Sequence, residues 1–297
     1  MKTPKAIFCV FVGWACLFVS VSAWADYVST VLSDNPLAYW RFEDAASTNG
    51  ASVADSAPGG LSPGWYRNRG GVLPDIALVP GALGQAAQFN GTASGGNGNF
   101  IEISDNAWAP VPYRLANLTS LSLEFWVKAS PTPSETYGRF ISRAAGGTGN
   151  YWVGMATAGS NPGQPFVGVP GATWYAWPPN ILTDGSWHHV VVTYSYDGAN
   201  TTAELWIDAV SRGTRVQSGS FSGPPGDWQN LIIGAENHQA YVYNGLVGAL
   251  DEVAVYNYPL GGDRILAHFN AIPEPGSIGM LALAALAGAY VIRRRLA

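Results

Sequence analysis

The side chains that could do chemistry in this chain of 297 residues fall into three sets. The first is His188-His189, which opens the β-branched run ending at Tyr194. Neighbours on a strand point to opposite faces, so these imidazoles cannot share one zinc ion. No second histidine cluster exists, and the pair is expected to be framework, one ring packed and one at an edge. The second set is Asp251-Glu252. A retaining glycosidase needs two carboxyl groups about 5–5.5 Å apart, and strand parity separates this pair. Whichever face is core, one carboxylate points towards it and needs a partner; Arg41 is the simplest, as an ion pair. The third set is aromatic. Trp174-Tyr175-Ala176-Trp177 precedes Pro178-Pro179, and Tyr241 and Tyr243 follow Asn237, His238 and Gln239. Exposed rings beside polar groups suit sugars; the competing reading packs these rings under loops. No Gly-x-Ser-x-Gly occurs, and no glycine loop opens a helix after a strand. No catalytic residue and no cofactor is assigned, and the chain is read as non-enzymatic.

Short strands must position these groups. Trp187 to Tyr194 and Thr201 to Asp208 are β-branched and aromatic, joined through Asp197-Gly198, a hairpin signal. Leu121, Leu123, Phe125 and Val127 alternate with Ser122, Glu124, Trp126 and Lys128, the pattern of a half-buried strand. Ala38, Trp40 and Phe42 alternate with Tyr39, Arg41 and Glu43 in the first strand. Further strands are expected over 85–90, 100–103, 139–143, 151–156, 231–235 and 246–256. A short helix is expected over 263–269. Residues 45–82 look like a long excursion, and Gly91 to Gly98 like a loose hairpin tip.

The two ends differ from the middle. Lys2 and Lys5 precede an apolar run from Ala6 to Val21, and Ala23-Trp24-Ala25 offers small residues for cleavage after Ala25. That is the pattern of a secretory signal peptide, residues 1–25. Both cysteines, Cys9 and Cys16, lie inside it, so the mature chain would hold no disulfide and must rely on a sizeable core. At the other end Pro273-Glu274-Pro275 precedes 17 uncharged residues, Gly276 to Ile292, then Arg293, Arg294 and Arg295. As a helix this run is about 26 Å long, within the range of a membrane span. The arginines place its end on the cytoplasmic side. Between lie residues 26–272, with ten Lys/Arg against nineteen Asp/Glu. That balance argues against nucleic acid and anionic lipid. Abundant Gly, Pro, Asn, Ser and Thr favour an all-β sandwich, which reaches this length as one domain.

Pro-Glu-Pro, apolar helix and arginine cluster over 273–297 resemble the PEP-CTERM sorting signal of Gram-negative bacteria. The resemblance implies processing by an exosortase-type membrane protease, a transient membrane anchor, and an envelope or extracellular-matrix destination, often alongside exopolysaccharide. The domain resembles the LamG-like jelly-roll family of the concanavalin A-like lectin and glucanase group. Six pieces carry this resemblance in order: Tyr39 to Glu43, Ala87 to Gly91, Leu121 to Val127, Trp187 to Tyr194, Leu205 to Asp208 and Gly248 to Asn257. It implies a two-sheet antiparallel jelly-roll sandwich with first and last strands adjacent. Asp208-Ala209 departs from the family's usual Asp-Gly. The related glucanases carry Glu-x-Asp-x-x-Glu on one strand, and no such string occurs here. Relatives often hold Ca2+ at a loop rim, so a structural calcium shared by Asp251 with Glu43 or Asp44 is the alternative to the Arg41 pair. The expected role is non-catalytic binding or scaffolding, with an exopolysaccharide or envelope glycan as ligand. The rival is a purely structural or protein-adhesion module; a glycoside hydrolase comes third.

Overall fold

A computed structural model describes residues 27–272, apart from 94, 106–108, 110, 113, 117, 131–136, 144–150, 158–161, 170–174, 177–180, 222–229 and 239–240. The strands are β1 (Ala38–Trp40), β2 (Ser52–Val53), β3 (Gly64–Arg69), β4 (Ala77–Pro80), β5 (Gln85–Asn90), β6 (Thr92–Ala93) and β7 (Asn97–Ile103). They continue as β8 (Ser120–Ala129), β9 (Tyr137–Arg143), β10 (Tyr151–Ala156), β11 (Pro165–Gly168), β12 (Tyr175–Ala176), β13 (His188–Tyr196) and β14 (Asn200–Ile207). The last are β15 (Val210–Ser218), β16 (Leu231–Ile233), β17 (Glu236–His238), β18 (Tyr241–Tyr243) and β19 (Val247–Tyr256). A helix, α1, covers 27–33, and another, α2, covers Gly262–Ala271.

Two antiparallel sheets form the sandwich. One runs β15-β14-β13-β8-β19-β5-β4 with β1 beside β19; the other runs β12-β11-β10-β9-β16-β7-β3-β2 with β6 beside β7. The pairing of β1 with β19 places the first strand beside the last, as expected. Between the sheets lies one apolar core. Leu121, Leu123, Phe125 and Val127 of β8 meet Val190, Val192 and Tyr194 of β13 and Phe140, Ile141 and Val153 of the facing sheet. These side chains are fully or almost fully buried. Alternation along β8 therefore set its register, because a one-residue slip would send this whole set into the other layer.

Residues 35–265 form this unit, and the terminal pieces form another. Within the terminal unit His268 Nε2 lies 2.8 Å from Asp34 Oδ2, and the rings of Tyr27 and His268 meet edge-on. Among the described residues no helix is long and apolar enough to cross a membrane. The apolar run 276–292, Ala25 and Pro273-Glu274-Pro275 lie outside the described residues.

The excursion expected over 45–82 is corrected: it contributes β2, β3 and β4. In β3 the large aromatic Trp65 and two arginines point outward, while Gly64 and Tyr66 are buried. A glycine inside and a tryptophan outside hide a period-two pattern that hydrophobicity alone would reveal. β15 was also absent from the expected set. It is polar and substantially exposed, so no apolar face announces it.

Candidate functional site

Asp251 and Glu252 do not obey simple strand parity. Their strand, β19, shifts register against β8 between Asp251 and Ala254, and Glu252 takes φ 51°. This is a β-bulge, which adds a residue and re-aims side chains. Leu250 and Val253 both face the core, and both carboxylates leave on the other side, fully buried. The expectation that one of them enters the core is therefore corrected. Glu252 accepts from the Tyr39 hydroxyl and lies 3.2 Å from Arg41 Nε, so Arg41 does pair, with Glu252. Burial raises the Glu252 pKa well above the ordinary carboxylate range.

Asp251 turns to the glycine-bearing turn after β4. Its Oδ2 accepts from the Leu83 N–H at 2.9 Å, and Glu43 Oε1 accepts from the Gln85 N–H at 2.9 Å. Burial, with a smaller contribution from the Glu43 charge, raises Asp251 well above the carboxylate range, against the backbone donors that lower it. Asp44 is engaged elsewhere, by the Tyr66 hydroxyl and the Ala54 N–H. Glu43, Asp44 and Asp251 are thus not gathered around one point. Among the described residues no group of three His, Cys, Asp or Glu side chains could hold a metal ion. Ca2+ wants six to eight oxygens, and this turn presents N–H donors to Glu43 and Asp251.

The histidines face opposite ways, as strand parity requires, but both are paired. His189 Nε2 lies 2.8 Å from Glu124 Oε1, and the Tyr256 hydroxyl donates to Glu124 Oε2 at 2.7 Å. At the start of β13, His188 Nδ1 lies 2.8 Å from Asp208 Oδ2 and its Nε2 3.0 Å from Asp184 Oδ1. Only an imidazolium donates at both nitrogens. The Asp208 hydrogen bond first, then Asp184, raises the His188 pKa above its ordinary value, against burial. Asp208 is also fixed by the His189 N–H and sits in a two-residue turn with Ala209, at φ 53° and 58°.

The arrangement suited to a ligand lies on the nine-stranded sheet, on its face away from the core. There the hairpin β17–β18 sits over β7 and β16. Val242 packs with Phe100, Ile232 and Ala235 in a small cluster of its own. Because strand neighbours alternate, Tyr241 and Tyr243 point the other way. They are 48% and 43% exposed, with ring centroids 6.0 Å apart and a tilt of 34°. Tyr241 lies directly on Gly96, where a Cβ would come within 2.3 Å of the ring. Below the hairpin, Arg139 Nε and Nη2 each donate to Glu236 Oε2 at 3.1 Å, and Asn244 Nδ2 donates to the same oxygen at 3.0 Å. Burial lowers the Arg139 pKa to about 10, against the Glu236 charge that raises it. The guanidinium also lies 5.0–5.8 Å from the Tyr137, Trp152 and Phe166 rings.

One stretch of this face was missed from sequence. On β3, Trp65, Arg67 and Arg69 alternate with Tyr66 and Asn68 and share the outward side. Arg67 lies over the Trp65 ring at 5.4 Å and pairs with Glu102 at 2.8 Å; Asn230 Nδ2 donates to Glu102 at 2.7 Å. The only available signal was the period-two spacing of Trp65, Arg67 and Arg69. Of the other aromatic set, Tyr175 pairs through its backbone with Val167 at the end of the sheet, while Trp174 and Trp177 lie outside the described residues. The structure does not bring Tyr175 together with the Tyr241–Tyr243 pair.

A family profile described as the concanavalin A-like lectin/glucanases superfamily matches residues 95–266. A PEP-CTERM protein-sorting motif matches residues 271–295. Pentraxin-4 of Homo sapiens is 29% identical over 186 residues, 59% of this chain and 36% of that protein; the chain spans about a third of this curated relative. Domain 4 of AbnA, a GH43 extracellular arabinanase from Geobacillus stearothermophilus, in complex with arabinotriose, is similar at TM-score 0.52. It is 19% identical, over 80% of this chain and 98% of that one. The binding domain of Paraclostridial Mosquitocidal Protein 1 is similar at TM-score 0.56, 11% identical, over 81% of this chain and 53% of that one. The binding domain of Botulinum Neurotoxin DC in complex with SialylT is similar at 0.53, 11% identical, over 82% and 53%. At such identities the likeness is one of fold.

Proposed function

The chain belongs to the concanavalin A-like lectin/glucanases superfamily, and from that premise we propose that it is a non-catalytic carbohydrate-binding module exported to the bacterial cell envelope or its matrix. The observation that carries this reading is the pair Tyr241 and Tyr243. Two large rings stand side by side on a supported hairpin, nearly half exposed. Aromatic faces bury the apolar C–H surface of a sugar while nearby polar groups take its hydroxyls. A purely structural role leaves this exposed pair without a use, whereas most other large aromatics among the described residues are buried.

A non-catalytic role is supported by the state of the carboxylates. Glu252, Asp251 and Glu124 are fully buried and hydrogen-bonded within the protein, away from any substrate. The comparisons support binding in a coarser way: two of the similar structures are binding domains, and two are in complex with arabinotriose or SialylT. The sorting motif supports export and an exosortase-type processing partner. In this reading residues 1–25 are a signal peptide cut after Ala25, 26–272 are the binding domain, and 273–297 are the sorting signal. Within that signal Pro273-Glu274-Pro275 is the recognition element and 276–292 a transient anchor. The buried acids are held by backbone donors, protons and Arg41; a structural Ca2+ on Glu43 and Asp251 is the alternative, which the N–H donors of their turn disfavour.

The test is a glycan array and a pull-down on envelope polysaccharides with the purified protein and its Y241A and Y243A variants. Retention by the wild type that the variants lose, at unchanged melting temperature, is the expected result. Blank arrays and pull-downs for the wild type remove the reading.

A further inference from the structure

We infer that the outward side of β3 is a second contact for the same ligand, and that Arg69 there receives a carboxylate, so that the ligand is a glycan whose sugars carry carboxyl groups. This rests on the carbohydrate reading above. Trp65, Arg67 and Arg69 share one side of β3, and Arg69 is paired across the sheet with Gly98 of β7. A Cβ on Gly98 would touch Val242, 3.1 Å away. Val242 is flanked by Tyr241 and Tyr243, so Arg69 lies one strand away from the hairpin that carries them.

Arg69 differs from the other arginines of the sandwich. Arg41, Arg67, Arg114, Arg139 and Arg143 each lie within 4 Å of a carboxylate, and Arg212 and Arg215 of β15 donate to backbone carbonyls. Arg69 is half-buried, and its guanidinium makes no ion pair or hydrogen bond with a described residue. Acids outnumber bases almost two to one over 26–272, so carboxylates are not scarce. A guanidinium kept from them, on a face with an indole under Arg67, is available to a carboxylate from outside. Its fork matches a carboxylate with two parallel hydrogen bonds. Trp65 offers a ring for the sugar, while the Glu102 carboxylate, held by Arg67 and Asn230, accepts from hydroxyls. One unpaired guanidinium reads one carboxylate at a time. It does not support a charge-dense polyanion, which needs several phosphate or sulfate contacts.

The experiment is affinity electrophoresis of the purified protein, wild type, R69Q and W65A, through gels holding polygalacturonate, neutral galactan or dextran sulfate. Expected is retardation by polygalacturonate at least about tenfold stronger than by galactan, lost in R69Q, with weaker galactan retardation and the melting temperature unchanged. W65A should weaken retardation by both. Equal retardation by polygalacturonate and galactan, unchanged in R69Q, overturns the carboxylate assignment but keeps the Tyr241–Tyr243 reading. Dextran sulfate retarding as strongly as polygalacturonate also overturns it, as general charge attraction. No retardation by any polymer, for wild type and variants alike, overturns both.

Discussion

Arg139 and Glu236 form a buried ion pair, with Arg139 Nε and Nη2 both 3.1 Å from Glu236 Oε2, and it fastens the tyrosine hairpin to the sheet beneath. Glu236 opens β17, Arg139 lies on β9, and Asn244 beyond β18 donates to the same carboxylate. The Arg139 N–H also donates to the Asn244 carbonyl. One charge pair therefore fixes both ends of the segment that carries Tyr241 and Tyr243.

Removing that carboxylate should cost stability and binding together. E236Q leaves a buried guanidinium without its counter-charge, a loss of about 3 kcal/mol, read as a lower midpoint in thermal denaturation. D105N should cost a similar amount, because Arg143 and Asp105 are a buried pair 2.9 Å apart, yet the hydrogen bonds of Asp105 run to Arg143, Leu115 and Asn230, outside the hairpin. At a temperature where both are folded, E236Q should bind polysaccharide more weakly than D105N. Equal binding would mean that the hairpin does not carry the site.

The His188 clamp should make stability fall as pH rises. Its folded pKa lies above the unfolded value of about 6.5, so its contribution is complete below that value and lost as pH climbs through the folded one. Asp184 is half exposed, which limits the effect to about 1 kcal/mol. Melting curves of wild type and H188Q between pH 6 and 9 check this: the difference should narrow with rising pH. A constant difference would mean that His188 does not hold a proton between its two carboxylates.

Ala209 occupies left-handed backbone at φ 58°, which a residue with a Cβ adopts at a cost of about 1 kcal/mol or more. A209G should raise the melting temperature by roughly 2–4 °C. A fall would show that the turn is not strained.

Asp251 should tolerate loss of its charge. Its folded pKa is raised, chiefly by burial, so the stability it contributes is present below about pH 4 and lost as pH rises through the folded value. D251N should therefore match or exceed the wild-type melting temperature at neutral pH. Millimolar Ca2+ added after chelation should leave the wild type unchanged. A Ca2+-dependent rise that D251N abolishes would instead favour an ion on Glu43 and Asp251.

Much of the fold was legible because apolar residues alternate with polar ones along the strands, although β8, expected to be half-buried, is buried on both faces. β8 alternates cleanly, so its register followed from Leu121, Leu123, Phe125 and Val127, and Asp197-Gly198 marked the β13–β14 hairpin. Three features escaped for physical reasons. The bulge at Glu252 depends on a backbone choice no side chain announces. β3 puts glycine inside and tryptophan outside, inverting the usual signal. β15 is polar and mostly exposed, and has no apolar face to find. Tyr241 and Tyr243 could be named from their spacing about one residue, but their exposure depends on Val242 finding Phe100 and Ile232, contacts over 130 residues apart in part. Trp65, Arg67 and Arg69 came together with Glu102 and Asn230 only through strand pairing.

The most direct measurement is calorimetric titration of the wild type and of Y241A/Y243A with whichever polysaccharide the wild type retains in pull-down, alongside their melting curves. The carbohydrate reading predicts saturable binding by the wild type and a loss of at least about tenfold in the double variant, with matching melting temperatures, since both rings already face solvent. Undiminished binding by the double variant would contradict it.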